Sequence, residues 1–184
     1  MTTYWPTAGK EHTEATVKLA VEKARSLGLK HLVIASVTGY SAQLLLGCND
    51  LEVVCVTHQA GFAQPGQQEM PNDVRRKLEE GGIKVLTTTH LMAGLDRALR
   101  LKFQGLYPAE IIASTLRLFG QGTKVAVEVA GMALDAGLIP YGVDVIALGG
   151  TSEGVDTALI LRPAHSQNFF DTKIKEIICK PREF

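Results

Sequence analysis

The chain has 184 residues, 46% of them hydrophobic, a length that fits one domain spanning residues 1–184 and able to bury a core without staples. Lys plus Arg is 19 and Asp plus Glu is 19, and this zero net charge argues against a nucleic-acid surface, which carries a basic excess. Three scattered cysteines (Cys48, Cys55, Cys179) and five unpaired histidines (His12, His31, His58, His90, His165) support neither a disulfide framework nor a metal site. Free thiols suit a reducing, cytoplasmic compartment.

In chain order, residues 1–10 lack the apolar run of a signal peptide. Val17, Ala20, Val21, Ala24 and Leu27 recur at helical spacing, so a helix is predicted over residues 11–27, ended by Gly28. A first strand, His31–Ala35, runs into the turn Ser36-Val-Thr-Gly-Tyr-Ser41 and a short helix. A second, Val-rich strand covers Glu52–Thr57. Residues 58–70 read as a Gly/Pro loop. Pro71 opens a helix to about Glu80, and a third strand covers Lys84–Thr87. The basic run Arg75-Arg76-Lys77 is followed by Glu79 and Glu80, which makes that helix face mixed in charge and solvated.

Further helices are expected near Leu95–Lys102 and from Pro108 to about Phe119. Gly120-Gln-Gly122 breaks the chain before residues 123–136. There the alternation of Val125, Val127 and Val129 admits a strand, but Gly137 at a C-cap position favours a helix. The fourth strand is Asp144–Leu148, the turn 149–154 follows, and the fifth strand is Thr157–Leu161. Ile174–Cys179 alternates poorly and reads as an edge extension. No apolar stretch is long enough to span a bilayer, so no membrane partner is expected. Strands that alternate with helices predict an α/β fold, a three-layer sandwich around a mostly parallel five-stranded sheet.

The turn after the first strand carries the strongest functional signal. Gly39 lets the backbone turn sharply, and Ser36, Thr38 and Ser41 supply hydroxyls. A strand, a hydroxyl-rich turn and a helix start together suit an anion, most often phosphate; the same residues also cap helices for structural reasons alone. A second glycine turn, Gly149-Gly150-Thr151, follows the fourth strand. In such sheets ligands bind beyond the carboxyl ends of the strands where strand order reverses, so the two turns face one crevice if the first and fourth strands are neighbours.

The string Val33-Ile-Ala-Ser-Val-Thr-Gly-Tyr-Ser-Ala42, with Gly142-Val-Asp-Val-Ile-Ala-Leu-Gly-Gly150 and Asp156-Thr-Ala-Leu-Ile-Leu-Arg-Pro163, resembles the C-terminal domain of pyruvate kinase. In that domain the corresponding turn holds a phosphate of an allosteric effector. Thr151-Ser-Glu153 stands where that effector loop carries Trp-Arg-Pro, a departure that speaks against a sugar bisphosphate. Further strings are Val56-Thr-His-Gln-Ala-Gly-Phe62, Phe119-Gly-Gln-Gly-Thr-Lys-Val125 and Arg162-Pro-Ala-His165. They resemble a stand-alone family of archaeal and bacterial proteins that are like the pyruvate kinase alpha/beta domain, of unassigned activity and associated with flavin mononucleotide (FMN).

The resemblance implies a sheet in the order 3-2-1-4-5 with the fifth strand antiparallel, and FMN as cofactor. It implies that Ser36, Thr38, Gly39 and Ser41 hold the phosphate, with Gly149, Gly150 and Thr151 as the opposite wall. Asp156 and Thr157 are expected at the ribityl chain or ring edge. His58, Gly61 and Phe62 are expected at the ring, and Gln121 and Gly122 at a helix start facing it. Lys124 lies on the same helix start, and His90 follows the third strand.

Three functions follow from this pattern: an FMN-binding protein, an FMN-dependent oxidoreductase with His58 or His90 as proton donor, and a phosphometabolite-sensing regulatory domain. Kinase activity is not expected, because neither a Walker loop nor a kinase catalytic set occurs. The expected partner is a small phosphate-bearing molecule, and the C-terminal strand and region 95–119 are candidate homo-oligomer contacts.

Overall fold

The structure is a computed structural model that describes residues 1–184. Seven strands form one sheet: β1 (Thr3–Thr7), β2 (His31–Ala35), β3 (Glu52–Val56), β4 (Lys84–Leu86), β5 (Val145–Gly149), β6 (Thr157–Arg162) and β7 (Lys173–Glu183). Their order is β1-β7-β6-β5-β2-β3-β4. The pairs β2–β3, β2–β5, β3–β4 and β1–β7 are parallel, whereas β5–β6 and β6–β7 are antiparallel.

The five expected strands are therefore β2 to β6, but the sheet is wider and more mixed than five strands. β7 is no edge extension, because it lies between β6 and β1. Its alternation is poor because only its middle is covered. Ile178 and Cys179 are buried, while Lys173–Lys175 and Arg182–Glu183 are exposed. β1 escapes a hydrophobicity reading, since it is five residues long and contains Pro6. Proline is tolerated there because β1 is an edge strand with one neighbour.

Six helices cover the two faces: α1 (Thr13–Leu27), α2 (Tyr40–Gln43), α3 (Asn72–Glu80), α4 (Gly94–Phe103), α5 (Pro108–Arg117) and α6 (Gln121–Asp135). Alternate strand residues choose the face, as a pleated strand requires. Leu32, Ile34, Val53, Cys55, Ile146 and Leu148 pack with α1 residues and with Leu78 of α3. Val33, Val54, Val56, Val145, Ala147 and Leu159 pack against α6 and Ala113 of α5. None of the helices is long and apolar enough to cross a membrane.

Helix α6 is nearly all buried between Gly122 and Leu134. Its backbone lies directly on the sheet, and two glycines make that possible. A Cβ at Gly149 would collide with the Gly122 carbonyl oxygen and stand 2.7 Å from the Ala126 nitrogen. A Cβ at Gly122 would collide with Thr157 Oγ1. Because the atoms that Gly149 would strike are backbone, the Gly149→Ala variant must push α6 off the sheet. It is expected to lose about 1–3 kcal/mol in a urea titration followed by circular dichroism.

Candidate functional site

Beyond the carboxyl ends of β2, β3 and β5 lies a cavity of about 760 Å³. Its other wall comes from α4, α5 and α6. The parallel β2–β5 pairing, with Ile34 opposite Leu148, sends the chain from both strands into the same crevice.

At one end stands the Ser36–Ser41 turn. Gly39 has φ +88° at the entry to α2, a conformation that L side chains rarely adopt. A Cβ there would also strike Val74 Cγ1, so Gly39 faces α3 and shapes the turn from behind. Ser36, Thr38 and Ser41 line the cavity; Ser36 and Ser41 are buried and Thr38 is exposed. Ser36 Oγ accepts the Ala42 N–H at 3.4 Å, which leaves its hydroxyl hydrogen free to donate. Cys55 donates its thiol to the Ser36 carbonyl at 3.8 Å, and burial pushes that thiol up to about 12, so it stays S–H. Opposite lie Gly150 and Ser152–Gly154. Glu153 of that loop is tied to Lys10 at 2.8 Å, and the Lys10 ammonium sits 4.4 Å over the Tyr40 ring.

At the other end three rings gather. His58 and Phe62 have centroids 4.0 Å apart, and His90 stands edge-on to both at 5.3 Å. The Arg97 guanidinium covers Phe62 at 4.9 Å. His58 Nδ1–H donates to Glu69 Oε2 at 2.8 Å. A carboxylate only accepts, so Nδ1 carries the proton in this bond, and in the neutral ring Nε2 is then the acceptor. The loop that carries these groups is pinned by Gln68, whose amide donates to Thr57 Oγ1 at 3.0 Å and Thr87 Oγ1 at 2.8 Å. Gly61, φ +80°, turns the chain just before Phe62.

Between the two ends, Lys124 and Glu128 form an ion pair on α6 with side chains 10% and 7% exposed. The second Glu128 oxygen accepts the Met92 N–H at 2.8 Å. Near the mouth, Arg117 donates to Gln121 Oε1 at 2.6 Å, which leaves the Gln121 amide hydrogens free.

The structure thus brings Ser36, Thr38, Ser41, His58, Phe62, Gln121 and Gly150 into one cavity. Gly39, Gly61, Gly122, Gly149, Thr151, Asp156 and Thr157 do not line it. The small size of Gly122 and Gly149 serves the close approach of α6 to the sheet, so the approach that needs them is helix to sheet. Asp156 and Thr157 are buried, and Thr157 Oγ1 donates to Asp156 Oδ1 at 2.8 Å. Glu69, Arg97, Arg100, Arg117 and Glu128 also line the cavity and are not among the residues expected from the sequence. For Glu128 a signal existed, since Lys124 and Glu128 stand at i,i+4 on an otherwise apolar helix; for the others no local pattern separates them from solvated charge. No three His, Cys, Asp or Glu side chains gather to hold a metal ion.

Residues 14–161 match the family model described as pyruvate kinase, alpha/beta domain. The chain belongs to that family. Among solved structures it is similar to a pyruvate kinase from Cryptosporidium parvum, with 20% identity over 82% of this chain and 22% of that one, TM-score 0.44. A Cryptosporidium parvum pyruvate kinase in complex with ADP matches at 21% identity over 89% of this chain and 23% of that one, TM-score 0.41. The chain therefore spans less than a quarter of the length of these pyruvate kinases.

Burial holds the His90 imidazole below its ordinary 6.5; Glu128 pulls it back up, and His58, Lys124 and Arg97 push it down again. The folded protein therefore binds the His90 proton less readily than the unfolded chain. Stability from this residue is present above about pH 6.5 and is lost as pH falls from there through the lower folded value. A proton NMR titration should find His90 titrating below 6.5, and His90→Gln should flatten the stability profile over that acidic window.

Proposed function

We propose that the crevice binds FMN, with the phosphate at the Ser36–Ser41 turn and the ring against His58 and Phe62. One observation carries this reading: a single cavity joins a hydroxyl-bearing turn to an aromatic and imidazole cluster. Its volume, about 760 Å³, lies inside the range of small-molecule sites. Ser36, Thr38 and Ser41 hold the phosphate oxygens, with the Gly150 loop closing over them. The free amide hydrogens of Gln121 donate to a ring carbonyl. Gly39 shapes the turn, and Gly122, Gly149, Asp156 and Thr157 support the wall. Bound flavin supplies hydride and one-electron chemistry.

A second reading, an FMN-dependent oxidoreductase, is favoured by the His58–Glu69 bond. An imidazole held in one tautomer beside the ring is equipped to move a proton at Nε2. Glu69 then acts as a positioning residue.

Purified protein is expected to be yellow and to release FMN on denaturation. Thr38 is exposed at the cavity edge, so Thr38→Asp should leave the fold intact while setting a carboxylate against the phosphate. We expect FMN affinity to fall at least about tenfold, or ~1.4 kcal/mol, in a fluorescence titration. Colourless protein that fails to bind added FMN overturns the proposal.

A further inference from the structure

The middle of the cavity is richer in donors than its own acceptors can use. The Lys124 ammonium has three N–H groups, and only one protein partner, Glu128, takes any of them. Both Glu128 oxygens are committed, one to Lys124 and one to the Met92 N–H. Arg97 makes no ion pair and no hydrogen bond, and its guanidinium carbon stands 4.9 Å from the Phe62 ring centroid. One oxygen of the nearby acid Glu69 is taken by His58, and no ion pair or hydrogen bond joins Glu69 to Arg97 or Lys124. All these side chains line the cavity or border its rings, with His90 among them.

A buried ion pair contributes little to stability, because desolvation offsets the attraction. Lys124 and Glu128 are almost wholly buried on α6, where apolar residues of similar size would pack as well. Their place in a cavity wall, with Lys124 donors left over, has a purpose if a ligand supplies the missing acceptor. The planar fork of Arg97 matches the two oxygens of a carboxylate. A phosphate asks for more converging donors than one fork and one ammonium, and the hydroxyl turn at the far end of the cavity suits it better.

We propose that Lys124 and Arg97 form a carboxylate-binding subsite for a small organic acid, which they hold beside the His58 and His90 rings. Glu128 is the positioning residue that aims Lys124. The subsite rests on reading the crevice as a ligand site, but not on the other ligand being a flavin. The acid would lie beside the His58 and His90 rings, where the proposed flavin ring also rests, so the two ligands compete for that end of the cavity.

The test uses the full chain in a thermal melt with succinate as the probe. Inorganic phosphate and sodium chloride at equal ionic strength serve as comparison arms, each run with and without FMN. Without FMN, succinate should raise the melting temperature by at least about 2 °C and sodium chloride should not; with FMN bound the succinate rise should shrink. The rise should vanish in Arg97→Ala, a surface change that leaves the fold intact. It should also vanish in the double variant Lys124→Met/Glu128→Gln, whose introduced amide oxygen still accepts the Met92 N–H. No rise in the wild type, an equal rise in Arg97→Ala, or a rise with phosphate but not succinate each overturns the subsite. Failure of the flavin reading shows separately, as FMN that does not bind in either arm.

Discussion

The parallel pairing of β2 with β5 is the constraint on which the rest of the molecule depends. Strand order reverses there, with β3 on one side of β2 and β5 on the other. Connections leaving neighbouring parallel strands at such a point diverge and open a crevice. The Ser36–Ser41 turn and the Gly150 loop are its two lips. Helix α6 bounds it because Gly122 and Gly149 let its backbone rest on β5 and β6. If β5 sat elsewhere, the hydroxyl turn would face solvent alone, and Lys124 and Glu128 would face no cavity.

The site mixes rigid and adaptable parts. Ser36 and Ser41 of the turn, the β-strand ends and most of α6 are buried, and the strands and α6 pack into the two cores. The Phe62 loop and α4 are looser: Phe62, Leu95, Leu101 and Phe103 are exposed, and α4 buries none of its residues. The hydroxyl turn and the charged floor therefore sit on fixed backbone, whereas His58 and Phe62 belong to a segment pinned mainly through Gln68. Ligand placement is best determined where the structure is stiffest.

Much of this was legible in the sequence. Strands β2, β3 and β5 read clearly because Val, Ile and Leu fill both faces, as buried parallel strands require. The helix over α6 was recognisable through Gly137 despite the Val125–Val129 alternation. β1 and the full length of β7 were not legible, since an edge strand with proline and a partly solvated strand carry little hydrophobic pattern. At the site, Ser36, Thr38, Ser41 and His58 were found because glycine turns and strand ends point to them. Gly122 and Gly149 were noticed for their size, but a glycine that admits a ligand and one that admits a helix look alike in sequence. Arg97 and Glu69 come from α4 and the 58–70 loop, and only tertiary packing brings them to the rings.

The Ser36–Ser41 turn is proposed to recognise a phosphate on a planar ligand. FMN and riboflavin differ only in that phosphate, so isothermal titration of the wild-type protein with each of them isolates it. FMN should bind at least about tenfold more tightly, or ~1.4 kcal/mol, with the gap narrowing in Thr38→Asp. Equal affinity for the two, or no binding of FMN, would contradict it.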